Sequence, residues 1–242
     1  TQSFGVSALP SVTRAFQTGD SQKLKRTVEA VLRITFLTAL PMGVGLSVLA
    51  QPAALLIYGA RPGTVIVGRV LTALGAASVF AALCGPLNSI LQAMGHVELP
   101  VVLTLIGLCV KAVLDYTLAA VPRVNVLGGA VGTLVCYALA SVLACIAIRR
   151  IAGVKIDFFS TFKKPFLASV CCGVAALLTH KAWCAVLPES RFSALPAVFL
   201  GALIYVVFLL IARGIYEEDI KALPNGEKIT KRLEKYLQKA GG

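Results

Sequence analysis

The chain alternates between long apolar stretches and short polar interruptions. A helix that crosses a bilayer needs about 20 mostly apolar residues. Six stretches reach that length, near 32–57, 68–94, 99–121, 126–148, 165–187 and 193–215. A further apolar segment at 1–12 has no charged n-region and no cleavage pattern, so it reads as the end of a truncated transmembrane helix rather than a signal peptide. On that reading the sequence is the C-terminal part of a longer protein.

Breaks in the pattern set the borders. "YGARPGT" (58–64) and "VPRVN" (121–125) are Gly/Pro turns, and Gly19-Asp20-Ser21 predicts a turn and a helix start. "AMGHVELP" (93–100) joins the second and third spans with almost no slack, which predicts a tight antiparallel pair. Pro41 and Pro86 fall inside spans, where membrane helices tolerate proline and kink. Gly128, Gly129 and Gly132 form a small-residue face suited to close helix packing.

Composition agrees with the pattern. The 242 residues are 57% hydrophobic and 14% charged, against about 45–50% and about 25% in soluble domains. Mean hydropathy is +0.84. The expected fold class is an all-α integral membrane protein, a polytopic helical bundle.

The net charge of +12 would suggest a nucleic-acid partner in a soluble protein. Here the cations lie between apolar runs. Seventeen of the 23 Lys and Arg fall in 13–33, 149–164 and 213–242; five fall in the alternate loops, and Lys111 is left over. The positive-inside rule then puts 13–31, the basic loop 149–164 and the C-terminus in the cytoplasm. Six crossings after the first loop return the chain to the same side. Membrane lipids, not nucleic acid, are the expected partners of these basic segments. The 216–242 tail reads as a basic amphipathic helix, with Ile229, Leu233, Tyr236 and Leu237 on one face. It could lie on an anionic leaflet or stand solvated.

The seven cysteines all lie in apolar runs, without CxxC or Cys/His spacing, and read as packing residues with no disulfide and no metal. His96 and His180 are in different segments, and no HExxH, GxSxG, GxGxxG or P-loop pattern occurs. The expectation is a non-enzyme with no cofactor.

What composition does not explain is "LIGLCVKAVLDYTLAAV" (105–121), where an apolar span carries Lys111 and Asp115. At i and i+4 the two share a helix face and can pair, which lowers the cost of burying each. Intramembrane ionisable residues usually face a bundle interior or a watery cavity and often mark a substrate or ion path. A self-neutralising pair that locks packing is the alternative. In the preceding span Asn88 and Gln92 are also i and i+4. They could hydrogen-bond a polar ligand or join helices, and with Lys111 and Asp115 they could line one hydrophilic cavity. Arg14 and Arg33, near span ends, could attract an anionic group or anchor helices at the interface.

Several stretches carry a resemblance. "ALPSVTRAFQTGDSQKLKRTVEAVLRITFLTALPMGVGLSVLAQPAALLIYG" (8–59) resembles the opening of the second helical lobe in lipid-linked oligosaccharide flippases. These belong to the multidrug/oligosaccharidyl-lipid/polysaccharide (MOP) exporter superfamily. "PLNSILQAMGHVELPVV" (86–102), "KAVLDYTLA" (111–119) and "LGGAVGTLVCYAL" (127–139) match later family signatures in order. "LPNGEKITKRLEKYL" (223–237) is similar to the stage V sporulation protein B and MurJ-type lipid II flippases.

The resemblance implies the C-terminal lobe of a MOP/MATE-like inverted-V transporter of the bacterial inner membrane. The N-terminal lobe of the same protein would be missing from this chain. Such proteins alternate access to move an undecaprenyl-diphosphate-linked oligosaccharide, lipid II or a polysaccharide repeat unit, for cell-wall or polysaccharide biogenesis. The central cavity is typically cationic, and the last two helices, 165–187 and 193–215 here, form a groove for the lipid tail. Lys111 becomes the candidate for the anionic head group, with Asn88 and Gln92 as polar contacts. Family members often carry Asn where this chain has Asp115. An acidic residue there points away from direct diphosphate binding, towards tethering Lys111 or holding a coupling H+ or Na+. The alternatives are a multidrug/cation antiporter on the same scaffold, a scaffold without transport activity, and a membrane-embedded transferase. The last would need acidic residues in the outward loops, which offer only Glu189.

Overall fold

A computed structural model describes residues 2–121, 126–153, 158–186 and 194–211. Eight helices make up these residues: α1 (Gln2–Gln17), α2 (Ser21–Val48), α3 (Ala50–Tyr58), α4 (Thr64–Ala93), α5 (Leu99–Ala119), α6 (Val126–Ala152), α7 (Phe158–Val186) and α8 (Ala194–Ile211). The expected tail helix at 216–242 lies outside the described residues.

Local chemistry sets the ends. Gly19 takes φ +68°, and the Asp20 carboxylate then caps α2 by accepting from the Lys23 amide at 3.0 Å. The segment expected as one span over 32–57 is longer and is two helices. It starts at Ser21, because a capped polar first turn extends the helix below its apolar part, and it breaks at Leu49. The turn after α3 uses Gly59 (φ +68°) and Gly63 (φ +100°). Thr64 fastens it by donating to the Gly59 carbonyl at 2.9 Å. Helix likewise takes up much of the basic segment expected as a loop over 149–164. α6 continues through Arg149 and Arg150 to Ala152, and α7 begins at Phe158.

The buried positions of α2 recur at helical spacing: Leu24, Val28, Val31 and Thr35, flanked by Leu32, Phe36 and Leu40. They form the main core with Val12 and Ala15 of α1, Leu87, Ile90 and Leu91 of α4, and Ala144 and Ile148 of α6. The neighbour relations run as a row. α5 packs on α6, α6 on α4, α4 on α2, α2 on α7 and α7 on α8, while α1 and α3 fill in against α4.

Candidate functional site

The Lys111 ammonium donates to Asp115 Oδ2 at 2.5 Å on α5. Glycines bring α5 and α6 together around this pair. A Cβ added at Gly107 would meet the Cys136 carbonyl at 2.9 Å, and one at Gly132 would overlap Asp115 Oδ1. The carboxylate therefore occupies the space that the missing side chain of Gly132 leaves. The two side chains are 28% and 37% exposed, so the pair is half-buried at the seam. Asp115 Oδ1 is itself buried and has no hydrogen-bond partner among the described residues. A carboxylate oxygen out of water normally finds a donor. The arrangement is a neutral ion pair with one spare acceptor turned towards α6.

The other four candidates lie elsewhere. α4 and α6 run parallel, since each is antiparallel to α5, and they touch where Cys84 Sγ lies 3.3 Å from Ser141 Oγ. Asn88 is one turn beyond Cys84, whereas Lys111 is level with Gly132. At 1.5 Å per residue this separates Asn88 from Lys111 by roughly 20 Å along the bundle. The polar stripes of α4 and α5 thus sit at different depths along the bundle. Asn88 is half-buried and Gln92 exposed, at the α4 end that Thr13 of α1 reaches by donating to the Ala93 carbonyl at 3.3 Å. Arg14 is exposed in the last turn of α1. Arg33 is half-buried on α2, one turn past Glu29, whose carboxylate is 3.8 Å from Lys25. Arg14, Arg33, Asn88 and Gln92 belong to one end of the bundle, and Lys111 and Asp115 to its middle.

On the far side of α2 lies an apolar groove of about 660 Å³. α7 and α8 give it Cys172, Ala176, Val198, Gly201, Ala202 and Tyr205. α2 and α3 give the opposite wall, from Leu37, Thr38, Pro41, Met42, Gly45, Leu46, Leu49 and Ala53. The resemblance placed a groove along the last two spans only. The contribution of α2 was missed, although Pro41 and Gly45, four residues apart, mark a helix face stripped of bulk. The six described cysteines are free thiols; Cys172 Sγ donates to the Gly201 carbonyl at 3.1 Å and so joins α7 to α8.

Four of these helices, α2, α4, α5 and α6, are long and apolar enough to cross a bilayer. With glycine-lined seams and an intramembrane ion pair, they define a multi-pass α-helical membrane protein. Known proteins make the class specific. The family model described as "Lipid II flippase MurJ" matches residues 1–210, and the chain belongs to that family. It is 23% identical to the membrane protein YabM of Bacillus subtilis over 252 residues, covering 99% of this chain and 44% of that protein. To stage V sporulation protein B of the same organism it is 24% identical over 230 residues, 93% of this chain and 42% of the relative. To the lipid II flippase MurJ of that organism it is 24% identical over 151 residues, 62% and 27%. The chain spans less than half the length of each of these relatives.

Proposed function

We propose that this chain is one lobe of a flippase for a lipid-linked oligosaccharide in the bacterial inner membrane, working by alternating access with its C-terminus in the cytoplasm. Family membership supports the class. The observation that carries the reading is the apolar groove between α2 and the α7–α8 pair, whose size and lining suit a long hydrocarbon chain. In this reading an undecaprenyl tail lies in the groove. Lys111 offers its charge to the diphosphate side of the cavity while Asp115 holds it in place. Asn88, Gln92, Arg14 and Arg33 serve the end of the path where the head group enters or leaves. No covalent change to substrate and no cofactor is required. The membrane potential or an ion gradient supplies the drive.

The multidrug/cation antiporter reading has one observation in its favour, the spare buried acceptor Asp115 Oδ1. That oxygen is also where a coupling H+ or Na+ would bind in a flippase.

The test is flipping of a fluorescent undecaprenyl-diphosphate-linked oligosaccharide in proteoliposomes, using the protein as its gene encodes it. Wild type is compared with Lys111→Ala and Lys111→Arg, with folded yield checked for each. Flipping lost in the alanine variant and kept in the arginine one, with folding intact, is the expected result. Equal flipping by all three removes Lys111 from the site. Absence of flipping in the wild type, alongside proton- or sodium-driven export of an organic cation, transfers the assignment to the antiporter.

A further inference from the structure

Pro41 lies inside α2 and has no N–H, so the carbonyl four residues earlier, that of Leu37, loses its intrahelical donor. In a bilayer such a carbonyl must be met by another group. The group that meets it is the Tyr205 hydroxyl of α8, which donates to the Leu37 oxygen at 2.5 Å. Tyr205 is 8% exposed, so its phenol equally needs an acceptor in this apolar site. The Tyr205 hydroxyl also lies in hydrogen-bond reach of the Ser169 side chain of α7, so α2, α7 and α8 meet at this one phenol, and the Leu37 oxygen is the group that depends on it.

The place of this bond gives it a consequence. α2 and α8 line opposite walls of the groove, which runs from Leu37 and Tyr205 at one end to Ala53 and Val198 at the other. α2 is held firmly. Gly43 lies flush on α4, where an added Cβ would meet the Gly75 carbonyl at 2.8 Å, and Val44 packs on Gly173 of α7. α8 is held differently. It rests on α7 through Gly201, Cys172 and Ala176 and touches α2 only briefly, while Val198, Phe199, Leu203 and Val207 are exposed. Its polar contacts to α7, Tyr205 with Ser169 and Cys172 with Gly201, form that footing, and the Tyr205–Leu37 hydrogen bond ties it to α2.

We propose that the Tyr205–Leu37 hydrogen bond is a latch that holds α8 against α2 and closes the Leu37 end of the groove. When it opens, α8 swings on its α7 footing and the groove gains a side opening along α2. The proposal holds whatever fills the groove, and its test does not depend on flipping.

The test uses the gene-encoded protein in lipid nanodiscs, with native cysteines replaced and spin labels at exposed Arg26 of α2 and Val207 of α8. Wild type should give one narrow distance population. Tyr205→Phe keeps the ring and removes the donor, and should add a longer-distance population. The ratio of longer to shorter distances should rise roughly fivefold, the effect of one net hydrogen bond. An unchanged distribution in Tyr205→Phe overturns the latch. Should that variant fold poorly because the Leu37 oxygen is stranded, Pro41→Ala/Tyr205→Phe decides, since it returns a backbone donor to Leu37. A recovered yield with the longer population supports the latch. A recovered yield with wild-type distances, or no recovery, overturns it.

Discussion

The α2–α4 and α5–α6 seams are both made by glycine, yet they hold different things. In the first, Gly43 and Gly75 oppose one another and the backbones close up. A Cβ at Gly75 would meet the Ser47 amide at 2.8 Å and the Gly43 carbonyl at 3.0 Å. The polar atoms there are neutral and satisfied, with Ser47 donating to the Thr72 carbonyl at 3.0 Å. In the second, Gly132 makes room not for backbone but for the Asp115 carboxylate. The burial differs as well: 44% of the apolar window of α2 is buried, against 6% of that of α5. The same residue type serves as a clasp in the interior and as a seat for a charge near the edge. Small residues in a membrane helix show that something comes close; only the partner shows what it is.

The largest effect should come from breaking the clasp. Gly75→Val forces a branched side chain against the backbone of α2, which cannot rotate away. Overpacking of this kind costs about 3 kcal/mol at its upper end. The expected outcome is loss of the monodisperse peak in fluorescence-detected size-exclusion chromatography, or a drop in Tm of many degrees. Gly45→Ala is the control. An added Cβ there meets nothing within 4 Å, so this variant should match or slightly exceed wild type. If both glycines tolerate substitution alike, the contrast between the seams fails.

The two seams also differ in how far the sequence revealed them. Hydropathy located the long apolar runs, because a membrane helix is marked by composition alone. Asp20 and Gly19 marked the start of α2 through capping chemistry, while the sign of the break at Leu49 was Pro52, which has no N–H for the Val48 carbonyl and fits in the first turn of α3. The pairing of Lys111 with Asp115 was legible from i, i+4 spacing, a property of one helix. The seating of Asp115 on Gly132 was not, since it depends on how α5 crosses α6. For the same reason Asn88 and Gln92 looked like partners of Lys111. Spacing within each helix was right, but the short 94–98 turn sets the two helices at depths that only the packing against α6 makes plain. Tyr205 was missed because nothing near it in sequence signals that Pro41, 164 positions earlier, leaves an acceptor for it.

A middle-sized effect should come from unpairing the ions. Lys111→Ala strands a carboxylate already short of one donor, and Asp115→Ala strands an ammonium. Each single change should lower stability by about 2–3 kcal/mol, in the range for an uncompensated charge at membrane depth. Lys111→Leu/Asp115→Leu removes both charges and should lie within about 1 kcal/mol of wild type, whatever it does to transport. Thermal unfolding of the three proteins in one detergent makes the measurement. If the double variant is as unstable as the singles, the pair does more for the seam than neutralise itself.

The smallest effect isolates the seat. Gly132→Ala adds one methyl group, and its nearest obstacle is the end of a side chain, Asp115 Oδ1, rather than backbone. The carboxylate can turn aside, so the cost should be about 1 kcal/mol, far below that of Gly75→Val. Because the cost lies in displacing Asp115, it should vanish when the carboxylate is absent. In a double-mutant cycle Gly132→Ala should be nearly neutral in an Asp115→Ala background, giving a coupling of about 1 kcal/mol. A glycine that served only to bring α5 and α6 backbones together would give the same cost in both backgrounds. That outcome would make the second seam a clasp like the first, with the ion pair merely lying beside it.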